Sequence, residues 1–250
     1  MASATPKPFY IGLSGGLGVG KTTLARLMAF NLRDYKCRLA AFGNSLKSFV
    51  STTYNIPVGL LHQEAGKNSL PNWVPAKVPL KPEQVPPVTR CIESLRINKS
   101  QIDFTAMDID IVMECISCPV GGLTCGRLLQ IVGEAFRTHA SPDFWVTQLE
   151  RFLETAKTDG GMDIVIVEDV RYENEAKWIA SKGGVIVKIT GDPPTTSCIA
   201  KRDLHHPSEL GFSSLCLPIL TEVSLGTRTD GEFYKAAQEI AEKVVIKMNQ

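Results

Sequence analysis

Gly15-Gly16-Leu17-Gly18-Val19-Gly20-Lys21-Thr22-Thr23 is the stretch that decides the reading of this chain. Phe9-Tyr10-Ile11-Gly12-Leu13-Ser14 precedes it, a short apolar run ending in small residues, and Leu24, Ala25, Leu27, Met28 and Leu32 follow at helical spacing. Strand, glycine loop and helix therefore come in that order. The spacing of Gly15, Gly20, Lys21 and Thr22 matches the phosphate-binding pattern G-x-x-x-x-G-K-[ST]. Glycines let successive backbone N–H groups curl around a phosphate without a Cβ clash. The helix that follows turns its positive N-terminal end toward the same anion. The spacing predicts that Lys21 reaches the β- and γ-phosphates of a nucleoside triphosphate, that the Thr22 hydroxyl holds Mg²⁺, and that the backbone from Gly15 to Thr23 cradles the phosphates.

Working outward, 250 residues suffice for one α/β domain, with or without an insertion. A net charge of +1 argues against a broad nucleic-acid-binding surface. No run of about 18 apolar residues occurs, so no membrane span is expected. Met1 to Pro8 has no apolar signal core and reads as a disordered tail. The seven cysteines are scattered, and beside a phosphate loop they read as reduced thiols of a soluble, cytoplasmic protein. Cys115-Ile116-Ser117-Cys118, with Cys91 and Cys125 nearby, lacks the second C-x-x-C of a zinc ribbon.

Beyond the first helix, to about Asp34, strands are expected near Arg38–Phe42, Met162–Val167, Val185–Ile189 and Leu217–Val223. Helices are expected from Asn44-Ser45 toward Pro57, from Thr124, from Ser141 to about Lys157, over Tyr172–Ser181 and over Asp230–Met248. Helix and strand alternate around buried parallel strands. The pattern implies an α/β fold, a P-loop NTPase-type three-layer sandwich with a central parallel sheet, as a single domain over 9–250. Six prolines between Pro71 and Pro87 rule out regular structure there, so an irregular insertion is expected at about 66–119. A second irregular stretch, about 191–215, carries Lys201, Arg202, His205 and His206 and reads as a lid over phosphates. The run Met162–Val167 ends in Glu168-Asp169-Val170-Arg171. Acids at the carboxyl end of such a strand hold Mg²⁺, its water or a ligand, or else cap the next helix.

Several segments resemble, in order, the deoxynucleoside monophosphate kinases of phages and large DNA viruses. Ala41-Phe42-Gly43-Asn44-Ser45-Leu46-Lys47 is similar to F-A-D-P-L-K. Arg127-Leu128-Leu129-Gln130-Ile131-Val132-Gly133 with Asp143-Phe144-Trp145-Val146 is similar to R-x-L-L-Q-x-x-G and its aromatic-Trp-Val. Asp169-Val170-Arg171-Tyr172-Glu173-Asn174-Glu175-Ala176 resembles D-V-R-F-x-N-E-A, and His206-Pro207-Ser208-Glu209 a later H-x-S/T-E. The resemblance implies transfer of the γ-phosphoryl of ATP to a deoxynucleoside 5′-monophosphate. It implies an acceptor site of Lys47, Arg127, Gly133, Glu134, Trp145, Asp169, Arg171 and Glu175, with Trp145 offering a ring face to the base. Lys21, Arg127, Asp169 and Arg171 would act in catalysis, and Thr22 and Asp169 would serve Mg²⁺. Asn44 stands where the family often has Asp, and Lys188-Ile189-Thr190 lacks an arginine often found after that strand. The partners implied are small molecules, with a homodimer left open. Another small-metabolite or nucleoside kinase, or a slow nucleotide-hydrolysing switch, shares the same loop.

Overall fold

The computed structural model of the chain describes residues 7–16, 18–54, 56–62, 67, 125–157, 161–191, 217–226 and 229–250. Leu17, the tail up to Pro6, the proline-rich insertion save Lys67, Thr124, and the lid stretch beyond Gly191 with Lys201, Arg202, His205 and His206 lie outside the described residues. So do Cys91, Cys115 and Cys118.

Five strands are present: β1 (Phe9–Gly15), β2 (Cys37–Ala40), β3 (Ile164–Val170), β4 (Val185–Thr190) and β5 (Ile219–Ser224). Among them run α1 (Lys21–Asn31), α2 (Gly43–Tyr54), α3 (Val58–His62), α4 (Cys125–His139), α5 (Phe144–Lys157), α6 (Glu173–Ser181) and α7 (Asp230–Met248). The strands form one sheet in the order β2-β3-β1-β4-β5, and every pairing is parallel. The central strand is therefore the one that leads into the glycine loop. The expectation of an α/β fold around a parallel sheet is met; every strand begins within two residues of its expected start, and β3 runs three residues past Val167. The short helix α3 was not expected. It begins just after Pro57, whose carbonyl accepts from the Leu60 N–H at 2.9 Å.

Two compact units divide the described residues: one takes those up to Phe42 and from Leu149 onward, the other those from Gly43 to Gln148. The first holds the sheet. Successive β1 side chains point to opposite faces. Ile11 and Leu13, both fully buried, join Ile166 and Val187 in a core with Leu24 and Met28 of α1 and Ile240 and Val244 of α7. Fully burying each such side chain contributes about 1.5–3 kcal/mol. On the other face a Cβ at Gly12 would collide with Ile179 of α6, Ile186 and Val170, so the helix rests almost on the strand backbone. Tyr10 and Phe42 meet the Trp178 ring edge-on, at 5.4 and 5.7 Å between centroids. Glu150 of α5 accepts from Trp178 Nε1 at 3.1 Å and also pairs with Lys182, which ties the end of α6 to α5.

Gly183-Gly184 ends α6 by a recognisable device. Gly183 sits at φ 75°, its N–H bonds to Ala180 O at 2.9 Å, and the Gly184 N–H bonds to Ile179 O at 3.0 Å. This double bond to the last turn needs a left-handed residue, which glycine adopts without steric cost. A Cβ on Gly184 would stand 2.5 Å from Tyr10 O, so the chain enters β4 pressed against β1.

Candidate functional site

The loop between β1 and α1 is shaped at both ends. Gly15 is paired with Ile189 of β4, and a Cβ there would strike the Ile189 carbonyl oxygen. Gly20, at φ 93° and ψ 19°, is left-handed and forms the N-cap of α1 without any side-chain bond. Val19 is 4 % exposed and turns down into the sheet core, so the loop stands on an apolar floor. Lys21 is 8 % exposed, and its ammonium donates to Gly15 O at 2.7 Å and Gly16 O at 2.6 Å. A buried ammonium has to be paired, and here carbonyls of the loop itself do so. Thr22 and Thr23 are exposed on the first turn of α1. Their hydroxyls lie at the positive end of that helix, where backbone N–H groups have no intrahelical acceptor.

At the carboxyl end of β3 the register changes. Gly12 stands opposite Val167 and Ser14 opposite Val170, so β3 spends three residues where β1 spends two. This extra residue falls at Glu168-Asp169, the acids singled out above. A bulge re-aims the side chains it carries, so simple alternation no longer puts Asp169 and Arg171 on one side. Asp169 Oδ1 accepts from the Phe42 N–H at 2.8 Å, which ties the ends of β3 and β2 together. The acid that caps the next helix is Glu175, 2 % exposed, whose Oε2 accepts from the N–H groups of Arg171 at 2.8 Å and Tyr172 at 3.1 Å. This is the return half of a capping box, a carboxylate three residues inside the helix reaching back to its start. Glu175 therefore engages the Arg171 backbone rather than acting only as a partner for its side chain. The phosphate loop, Asp169, Arg171 and Glu175 share the carboxyl edge of one sheet.

The remaining expected acceptor residues belong to the other unit. Leu46 packs on Gly133, where an added Cβ would stand 3.1 Å from its Cδ2, so α2 passes close to α4 there. Trp145 is 1 % exposed; its Nε1–H donates to Gly133 O at 3.1 Å, and its ring meets Phe136 at 5.3 Å and Phe144 at 4.8 Å. Where a ring face toward a base was expected, the Trp145 ring lies buried at the packing of α5 against α4. Glu134 Oε2 and Gln148 Nε2 are buried with no hydrogen-bond partner among the described residues. Arg127 lies in the first turn of α4. Burial, then the ammonium groups of Lys47 and Lys67, push the pKa of His62 down from its usual value, so these three bases share one neighbourhood. Gln148 gave no signal in sequence beyond a polar position in an apolar helix stripe.

The described thiols are Cys37 and Cys125, both free. Burial, with the Asp163 carboxylate beside it, raises the Cys37 thiol to about 11. Among the described residues no three His, Cys, Asp or Glu side chains gather to hold a metal ion, and no helix is long and apolar enough to cross a membrane. No protein-family model matches the chain, and no curated protein matches it.

Proposed function

We propose that this chain is a P-loop kinase that transfers the γ-phosphoryl group of ATP to a deoxynucleoside 5′-monophosphate, in a three-layer sandwich of the P-loop NTPase type. The observation that carries the reading is the loop itself: a left-handed Gly20 closes the turn onto α1 directly before a buried Lys21. The strand order β2-β3-β1-β4-β5, with that loop on the central strand, supports it.

In this mechanism the N–H groups from Gly15 to Thr23 and the Lys21 ammonium hold the β- and γ-phosphates of ATP. Lys21 exchanges carbonyl partners for phosphate oxygens, so its charge stays paired throughout. An acceptor phosphate oxygen attacks the γ-phosphorus, the bond to the β–γ bridging oxygen breaks, and ADP leaves with that electron pair. The acceptor is already anionic, so positioning and charge neutralisation dominate over base catalysis. Arg127 and Arg171, assigned by the resemblance, suit a phosphate because a planar guanidinium meets two oxygens at once. The exposed Thr22 hydroxyl and the Asp169 carboxylate are the oxygen donors that fit Mg²⁺. Asp169 Oδ1 already accepts from Phe42, and a carboxylate retains further lone pairs for a metal-bound water. Mg²⁺ when bound neutralises charge building on the phosphate oxygens.

ADP release measured against a panel of deoxynucleoside monophosphates, nucleosides, phosphorylated small metabolites and no acceptor tests the reading. Release dependent on a deoxynucleoside monophosphate is expected. Equal release without an acceptor would mean a slow hydrolase, and dependence on another acceptor would move the chain to a different kinase.

A further inference from the structure

The helix that closes the chain touches the loop that opens it. Gly20 has φ 93°, and a Cβ placed on it would overlap the Cζ and Cε1 atoms of Phe233. The tip of that ring therefore lies against the one residue whose left-handed backbone turns the glycine loop into α1. Phe233 is 7 % exposed and belongs to the same core as Val19 and Leu24, one just before Gly20 and the other a turn after it.

Phe233 is itself held from behind. Its N–H bonds to Thr229 O at 3.1 Å in the first turn of α7. The Thr229 hydroxyl accepts from the Glu232 N–H at 3.3 Å, and Glu232 Oε1 accepts from the Gly226 N–H at 2.8 Å. Leu225 N–H bonds in turn to Thr190 O at 2.9 Å, at the end of β4. The start of α7 is thus fastened to the ends of β4 and β5, and the ring it presents has little freedom to retreat.

We propose that Phe233 is a positioning residue for the phosphate loop, its ring seating Gly20 so that the N–H groups that follow face one point. The proposal rests on the reading of the loop as an ATP site. A glycine in this region costs no strain but is also free to leave it, since its mirror conformations are nearly as accessible. A rigid ring against its α-carbon removes that freedom without adding a polar group near the phosphates.

The test uses the direction of the ring. Because Cζ is the atom nearest Gly20, a hydroxyl added there enters the space of the loop, whereas a shorter side chain only withdraws. The full chain is compared with Phe233→Tyr, Phe233→Leu and Lys21→Ala by calorimetric titration with MgATP, amide hydrogen exchange over residues 18–22, and melting curves. Phe233→Leu, which withdraws the ring, and Phe233→Tyr, which crowds Gly20, are each expected to weaken ATP binding by about 10-fold or more and to speed exchange at residues 18–22, a misplacement effect rather than a lost contact. Loss of core packing alone predicts a lower melting temperature with ATP binding and loop exchange in the folded protein unchanged. Wild-type-like ATP binding and loop exchange in a folded Phe233→Leu or Phe233→Tyr overturns the proposal. If Phe233→Tyr does not melt cooperatively, the pair Gly20→Ala and Phe233→Leu decides: the loss from Gly20→Ala must shrink in the Phe233→Leu background, and additive losses overturn the coupling. A wild-type chain that binds no ATP would defeat the reading of the site, and loop exchange would still decide the part played by Phe233.

Discussion

Between β1 and α1, shape is held by backbone: Gly15 against the Ile189 carbonyl, Gly20 left-handed, Lys21 bonded to two carbonyls of its own loop. Between α4 and α5, shape is held by rings: Phe136 stacks on Phe144 at 4.6 Å, and Trp145 closes the group with a bond to Gly133 O. The first region sets its apolar Val19 into the core beneath it. The second has turned its most informative side chain inward. At α4 and α5, among the described residues, Glu134 Oε2 and Gln148 Nε2 are buried without a hydrogen-bond partner, whereas the tryptophan N–H is satisfied by Gly133 O.

Removing the loop's one buried charge should have the largest consequence. Lys21→Ala is expected to lower kcat/KM by about 10³-fold, or about 4 kcal/mol of transition-state stabilisation, with little change in melting temperature. Near-normal turnover in the folded variant would end the comparison, because the loop would then be a structural turn like any other.

Arg171→Ala comes next. Glu175 bonds the Arg171 backbone N–H, so truncating the side chain leaves that helix cap in place. A guanidinium that grips the acceptor should cost about 10²-fold in deoxynucleoside monophosphate use, with ATP binding unchanged, since a bond to a charged group is worth about 1.5–3 kcal/mol before transition-state effects. Unaltered kinetics for the acceptor would reduce Arg171 to a surface residue.

Trp145→Phe sharpens the other side. It removes the Nε1–H bond to Gly133 O and part of a ring that is 1 % exposed, at a cost of about 1–3 kcal/mol in stability. A lower melting temperature with an unchanged acceptor KM is the outcome that burial requires. A raised acceptor KM at unchanged stability would restore the ring to the substrate.

The smallest effect concerns pH. His62 has a folded pKa below its unfolded value of about 6.5. The folded state therefore favours the neutral imidazole, so stability present above pH 6.5 is lost as the pH falls through the folded value. Melting curves from pH 7.5 to 5 should show that decline, and His62→Gln should make it shallower. An identical slope in the variant would mean that Lys47 and Lys67 do not press on the imidazole.

These contrasts explain what could be read in advance. Glycines before a Lys-Thr pair constrain the backbone directly, so strand, loop and helix were legible, as was the β-branched run of β3. The bulge at Glu168-Asp169 was not, because register is decided by the partner strand and not by the bulged residues. The burial of Trp145 was not legible for a related reason: an aromatic side chain suits a core and a base-binding wall equally, and the burial comes from the packing of α5 on α4. Phe233 was legible as a core position of α7, but nothing in its own segment points to Gly20, more than 200 residues earlier.

The strand order carries a consequence for how the chain is made. β1 and β2, though consecutive, are not neighbours; β3 lies between them, and β4 flanks β1 on its other edge. A ribosome that has released only the first 62 residues has delivered the entire glycine motif with no strand for β1 to pair with. Parallel pairing over such a separation is slow to form. The nascent loop acquires its walls only when Ile164 and then Ile189 emerge, and the rest of its apolar floor with Phe233. Products of this chain that lack the C-terminal helix should therefore carry the motif without the packing that shapes it.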